Sequence, residues 1–387
     1  MTAAPTWLVT GGAGFIGSNF VRHVLSRRPG VRVVVLDKLT YAGSLENLRD
    51  LPDPSRFTFL KGDIARADDV RAALLAHPPD CLLNFAAESH VDRSIDGPRA
   101  FIDTNIGGTF ELLEAARAHH AKLDSAARAR FRVLHVSTDE VYGSLGPEGY
   151  FTEQTAYAPN SPYSASKAAA DLLVHAYHHT YGLPTLTTNC SNNYGPYQYP
   201  EKLIPLILLN ALEGKPLPIY GDGGNVRDWI HVEDHCAGIV RTVDAGTPGE
   251  QYAFGGASER SNLQVVDALC AALESIRPAA ENPALKSRGI RRYVDLKQFV
   301  ADRPGHDRRY AIDSAKAERT LDWRPTRSFE AALTDTVRWY LAHEDWRLAI
   351  QAEGDARRRI GLGSAPGPVA TIRSNVLGTG RGSEIQQ

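Results

Sequence analysis

Short apolar runs alternate with longer stretches of helical periodicity from residue 6 to about residue 180. Trp7–Thr10 has strand character, a glycine-rich segment follows at once, and a helical pattern then runs through Leu25. Arg32–Leu36, Phe57–Leu60, Cys81–Phe85 and Arg132–Val136 repeat the strand signal, each closed by polar or small residues. One long helix carrying Thr104, Asn105, Gly107 and Gly108 fills the space before Arg132. Ser161 is placed to cap a further helix with Pro162 in its first turn. Strands alternating with helices in this way predict an α/β fold built on a doubly wound parallel sheet.

After Thr185–Asn189 the pattern changes. Asn192–Tyr197 is turn-rich, and Pro216–Tyr220 and Gly221–Gly224 read as breaks in regular structure. The alternation returns in Arg227–Val232, a helix after Glu233, and Gln251–Phe254. Two helices, Asn262–Ser275 and Phe329–Trp346, flank a basic loop and suggest a smaller α/β lobe assembled from separated segments. Past about Gly354 the chain loses periodicity, as a mobile tail does.

Composition narrows the possibilities. A length of 387 residues with 43% hydrophobic and 23% charged residues is that of a soluble globular chain with room for two domains. A net charge of −2 gives no field for nucleic acid or a membrane surface, and no run is apolar enough to span a bilayer. Cys81, Cys190, Cys236 and Cys270 are far apart, which argues against a disulfide framework or a zinc site and for the reducing cytoplasm. His231 and His235 stand one helical turn apart without a third ligand, so no metal is expected.

The candidate chemistry begins at Gly11-x-x-Gly14-x-x-Gly17, set between a strand and a helix. Glycine there allows a tight turn and lets a pyrophosphate approach the helix N-terminus. Asp37, at the end of the second strand, suits two ribose hydroxyls and repels a 2′-phosphate, which favours NAD; Lys38 beside it is a mild counter-signal. Asp63 closes the third strand within reach of an adenine, and Ala86 and Ala87 leave room for a flat ligand. Thr138, Asp139 and Glu140 follow the Arg132 strand, and both carboxyls can face one substrate only if that strand has ended by Asp139. Tyr163 and Lys167 share a helix face, where an ammonium favours the phenolate and equips Tyr163 to take a proton near neutral pH.

These residues resemble the extended short-chain dehydrogenase/reductase superfamily, of Rossmann type, and within it the dTDP-glucose 4,6-dehydratases. The resemblance covers roughly residues 6–346. It rests on Asp37–Gly43, Ala86–Ser94, Ser137–Gly143, Ser161–Lys167, Asn189–Pro196, Glu201–Pro205 and Asp302–Tyr310. It implies a dehydration of dTDP-glucose with bound NAD, in deoxysugar synthesis, with rhamnose favoured but other deoxysugars left open. Tyr163 with Lys167 takes the C4 hydroxyl proton, Thr138 bonds that oxygen, Glu140 is base at C5, and Asp139 is acid at the C6 hydroxyl. It further implies NAD contacts at Phe15, Ile16, Leu39, Thr40, Ile64, Phe85, Ser89, Thr104 and Asn193. For the sugar nucleotide it implies Ser89, Asn192, Lys202, Leu203, Pro218, Ile219, Tyr220, Arg227, Asn262, Asp302, Arg303 and His306.

The implied division is 1–190 plus about 228–258 for NAD, about 191–227 plus 259–346 for the nucleotide sugar, and 347–387 as tail. Helices Phe101–Ala118 and Ala165–Tyr181 resemble those of a four-helix homodimer interface. Alternatives are a 4-epimerase, which the Asp139–Glu140 pair disfavours, a dehydratase of a UDP-, CDP- or GDP-sugar, and a non-catalytic NAD-binding regulator.

Overall fold

The computed structural model describes residues 4–352. Its strands are β1 (Thr6–Thr10), β2 (Arg32–Asp37), β3 (Phe57–Lys61), β4 (Cys81–Asn84), β5 (Arg132–Thr138) and β6 (Thr185–Cys190). They continue as β7 (Asn192–Tyr194), β8 (Leu217–Tyr220), β9 (Val226–His231), β10 (Gln251–Phe254), β11 (Glu259–Ser261) and β12 (Lys297–Val300). Seven form one sheet in the order β3-β2-β1-β4-β5-β6-β10, with every neighbouring pair parallel.

Alternation along each strand explains the two layers of helices. Val9, Val33, Val35, Leu83 and Leu134 pack toward the helices Phe15–Arg27 and Val232–Ala245. Their neighbours Leu8, Val34, Leu36, Leu82 and Val133 pack toward Ala67–Ala76, Thr109–His120 and Pro162–Tyr181. β1 lies between β2 and β4, where the strand order reverses, so a crevice opens beyond its carboxyl end.

Several expectations are corrected. Asn192–Tyr197 and Pro216–Tyr220, read as breaks, contain strands. β7 pairs with β9, and β8 pairs with β12. Pro218 is tolerated because β8 sits in a two-stranded ribbon with one edge outside any ladder. β9 does not continue the central alternation; it lies in a separate three-stranded sheet between β7 and β11.

The long helix before β5 is π-helical over Ile102–Gly108 before continuing as Thr109–His120. A Cβ on Gly108 would meet Ile64 Cδ1 at 2.6 Å, so the close approach of that segment to the loop after β3 needs glycine. The helix expected over Phe329–Trp346 divides at His343 into Phe329–Ala342 and Glu344–Ala352. Residues 347–352, expected in the tail, are therefore helical, with Ile350 buried. The rest of that tail lies outside the described residues.

A second core gathers Tyr194, Ile207, Leu208, Leu217, Ile219, Val265, Leu269, Leu333 and Tyr340. Among the described residues all four cysteines are buried and free, and no helix is long and apolar enough to cross a membrane.

Candidate active site

One cavity runs along the carboxyl ends of β1 to β6. At its first end Gly11 turns the chain at φ +68°, where a Cβ would lie 2.5 Å from the backbone nitrogen of Ala86. A Cβ on Gly17 would collide with the carbonyl of Gly11. The helix Phe15–Arg27 begins without a side-chain cap and without an acid in its first turn, so its free N–H groups suit a phosphate. Asp37 Oδ2 accepts from the backbone of Ala13 (2.9 Å) and Oδ1 from that of Leu39 (2.8 Å), tying β2 to the glycine turn. Burial raises this carboxyl above its ordinary range. Lys38 is drawn to Asp63 at 3.1 Å, so the two residues weighed separately in the sequence form an ion pair.

Gly11, Gly14, Phe15, Ile16, Gly17, Asp37, Lys38, Thr40, Asp63, Ile64, Phe85, Ala86, Ala87, Ser89, Thr104 and Asn193 line this cavity with Tyr163 and Lys167. Leu39 is not among the lining residues; its backbone is held at φ +58° by the Asp37 bond. Thr138, Asn192 and Lys202 line the cavity, whereas Leu203, Pro218, Tyr220, Asn262, Asp302 and His306 lie off it. The Ile219 side chain is 2% exposed and packs in the second core, because strand alternation turns it away from Pro218 and Tyr220. His306 is bound to Asp302 at 2.6 Å.

At the other end β5 stops at Thr138, whose hydroxyl accepts from the Glu140 backbone (3.3 Å) and starts a 3₁₀ turn over Asp139–Tyr142. This turn takes both carboxyls off the sheet. Asp139 is 2% exposed; Oδ1 accepts from Thr138 Oγ1 at 3.3 Å, and no described residue bonds Oδ2. Burial, then the adjacent Glu140, push Asp139 well above the carboxylate range. Burial also raises Glu140, but the charges of Arg303, Lys202 and Arg227 oppose it. Asp139 is thus the member that holds a proton more readily, and Glu140 the one whose charge its neighbours favour.

Arg303 and Arg227 do not line the cavity but stand behind this turn. Arg303 pairs with Asp92 at 2.9 Å, and Arg227 bonds the Asp307 carbonyl at 2.9 Å over the Tyr310 ring.

The helix Pro162–Tyr181 opens with a capping box between Ser161 and Ser164. Tyr163, 8% exposed, has its phenol pushed well above its ordinary value by burial and then by Glu140. The expectation of a phenolate near neutral pH is therefore not met by the protein groups alone. Lys167, the cation meant to favour it, is itself lowered to about 8 by burial. The Lys167 ammonium donates to the Val136 carbonyl (2.7 Å) and lies 3.1 Å from His135 Nε2.

Sequence reasoning missed His135 and Asp171 beneath the site, and Glu88, Gln198, Tyr199 and Glu201 along the cavity wall. Asp171 had a signal, being one helical turn beyond Lys167; His135 is hidden inside an apolar run. Glu201 pairs with Arg93 at 3.0 Å, and the Arg93 guanidinium covers the Tyr41 ring. His231 accepts from the Glu233 backbone and His235 meets Asn193, so each has its own protein partner.

Comparison with known proteins places this geometry. The family model described as GDP-mannose 4,6 dehydratase matches residues 8–336. A dTDP-glucose 4,6-dehydratase of Xanthomonas campestris pv. campestris (strain B100) is 56% identical over 92% of this chain and 99% of its own length. The crystal structure of dTDP-glucose 4,6-dehydratase from Bacillus anthracis str. Ames, in complex with NAD, matches with a TM-score of 0.77 at 44% identity, covering 90% of this chain and 100% of that one. The Streptomyces venezuelae dTDP-glucose 4,6-dehydratase, also solved with NAD, matches with a TM-score of 0.76 at 46% identity over 88% of this chain and 98% of that one. A fingerprint of this kind at the switch point, an acid pair beyond β5 and this degree of identity have one explanation: the chain belongs to the dTDP-glucose 4,6-dehydratase family of extended short-chain dehydrogenase/reductases.

Proposed function

We propose that this chain dehydrates dTDP-glucose to dTDP-4-keto-6-deoxyglucose, a deoxysugar precursor, with NAD retained in the cavity. The observation that carries the reading is the convergence of Thr138, Asp139, Glu140 and Tyr163 at one end of a cavity whose other end is a glycine cradle.

Bound NAD supplies hydride acceptance from C4 and hydride return to C6. Tyr163 takes the C4 hydroxyl proton, and Thr138 bonds the same oxygen. The ketone at C4 acidifies the C5 proton, which Glu140 removes; the cations around Glu140 favour the charged form that this step needs. Asp139, protonated and with Oδ2 free, gives its proton to the C6 hydroxyl so that water leaves. Glu140 then returns its proton to C5. Arg227 and Arg303, which stand off the cavity, serve this reading through the positive charge they place near Glu140. NAD is favoured over NADP because Asp37 faces the ribose end and Asp63 engages Lys38.

The hydride returns in each cycle, so turnover is expected without added cofactor. Purified protein incubated with dTDP-glucose alone and then made alkaline should develop the ultraviolet band of a 4-keto-6-deoxy sugar. Absence of the band from protein shown to carry NAD would remove this reading and turn the search to UDP-, CDP- and GDP-sugars.

The division into a nucleotide-binding part and a lobe of about 191–227 plus 259–346 is supported by the second core. A homodimer is supported by Ile102 and Phe110 on one helical segment and Leu172 and Tyr181 on the helix beside it, all exposed apolar or aromatic side chains. Light scattering should give twice 42.2 kDa, and a monomer mass at working concentration would contradict the dimer.

A further inference from the structure

A buried carboxyl unused in the reaction above lies one turn beyond Lys167. Asp171 is 3% exposed, and its Oδ2 accepts from Ser137 Oγ (2.7 Å), Tyr157 OH (3.0 Å) and Asn189 Nδ2 (3.4 Å). Its Oδ1 has no such bond and faces His135 Nε2 at 3.4 Å. That same Nε2 is 3.1 Å from Lys167 Nζ, while Nδ1 of the ring meets the Asn84 side-chain amide at 3.1 Å. Asn84 is fixed in turn by Thr10 at 2.6 Å. Asp171, His135 and Lys167 form an unbroken buried line, anchored at both ends, that reaches the cavity only at Lys167.

A carboxylate is held in such a place at heavy desolvation cost unless a cation shares it. The titratable groups facing this line are Tyr163 on the same helix, Cys190 on β6, Tyr142 in the turn after β5, and Tyr157 in the loop beyond, with Asp139 and Glu140 past Tyr163. Burial pushes the thiol and all three phenols upward, so they stay neutral, and it pushes His135 down to about 4. The complementary charges left within the line are Asp171 and Lys167.

We propose that Asp171, acting by its charge across the His135 ring, is a positioning residue that keeps the Lys167 ammonium charged one helical turn from Tyr163, and so eases proton transfer to Tyr163. This rests on the reading of Tyr163 as the C4 base. Burial lowers Lys167 to about 8, and Asp171 is the largest influence in the other direction. Without the Asp171 charge, Lys167 loses its proton at lower pH, the phenolate loses its neighbouring cation, and Tyr163 titrates at higher pH. The acidic limb of activity then moves upward.

The test uses NAD-loaded enzyme carrying Asp171→Asn, with Asp171→Glu as the rescue and Asp171→Ser carrying the same expectation should Asp171→Asn not fold. Two readouts are taken: the pH profile of kcat on dTDP-glucose, and the titration of Tyr163 in ¹³Cζ-tyrosine-labelled protein, assigned by Tyr163→Phe. Both midpoints should rise by about one pH unit, giving about tenfold less activity on the acid limb. Activity should recover as pH is raised, and Asp171→Glu should return the midpoints toward wild type. An unmoved Tyr163 midpoint, with activity lowered by one factor at every pH, would overturn the inference. Wild type that turns over no dTDP-glucose would remove the proposed reaction instead, and the Tyr163 midpoint alone would then decide the role of Asp171.

Discussion

Tyr163→Phe is expected to lower kcat on dTDP-glucose by about 10²- to 10⁴-fold, the usual contribution of a positioned proton-transfer group. The substitution removes one hydroxyl and keeps the ring, which packs edge-on to Phe101 with centroids 6.3 Å apart. The fold and substrate affinity should therefore change little. The loss should fall on the first chemical step, because a C4 hydroxyl that cannot give up its proton does not release hydride. Rapid mixing with substrate, followed at the absorbance of reduced nicotinamide, checks this directly. Wild type should show a transient and the variant none. A variant that keeps turnover within tenfold of wild type would show that another group takes the proton.

Glu140→Gln and Asp139→Asn are each expected to cost about 10²- to 10⁴-fold in product formation, but after C4 oxidation rather than before it. Both variants keep Tyr163 and Lys167, so reduced cofactor should appear and persist instead of decaying. They differ at C5. Glu140 is the member of the pair whose charge nearby cations favour, so Glu140→Gln should abolish exchange of the C5 proton with deuterated solvent. Asp139→Asn removes only the acid for the leaving hydroxyl, so C5 exchange should continue while water elimination stops. Equal exchange in both variants would separate the acid pair from the roles assigned to it. Burial raises both carboxyls, but the three cations opposing it at Glu140 have only Arg227 as a counterpart at Asp139. That difference is the physical reason for giving the two neighbours opposite tasks.

Much of this was legible in the chain because it depends on neighbours in sequence. β1, β2, β4 and β5 are runs apolar on both faces, and a buried parallel strand needs no distant residue to announce it. The Gly11–Gly14–Gly17 spacing, the Ser161 cap and the one-turn separation of Tyr163 and Lys167 are set by local backbone geometry. The end of β5 at Thr138 followed from the demand that two adjacent carboxyls serve one substrate.

Tertiary structure alone decided the rest. β7 and β8 looked like turns because their partners, β9 and β12, lie far along the chain, and a short strand rich in Asn or Pro exists only when another strand meets it. Ile219 could be placed inside only once β8 had a face. Tyr163 and Lys167 read as a tuned phenol, yet burial raises the first and lowers the second. Arg303, Lys202 and Arg227, which oppose the burial of Glu140, reach it from three separate segments. The sequence by itself determined the sheet, the nucleotide cradle and the placing of Thr138, Asp139, Glu140, Tyr163 and Lys167 after β5 and on the next helix, because periodicity and turn chemistry act over a few residues. Protonation states, the support under Lys167 and the second lobe's strands were decided only by the folded structure, because desolvation and charge act through space on whatever the fold brings together.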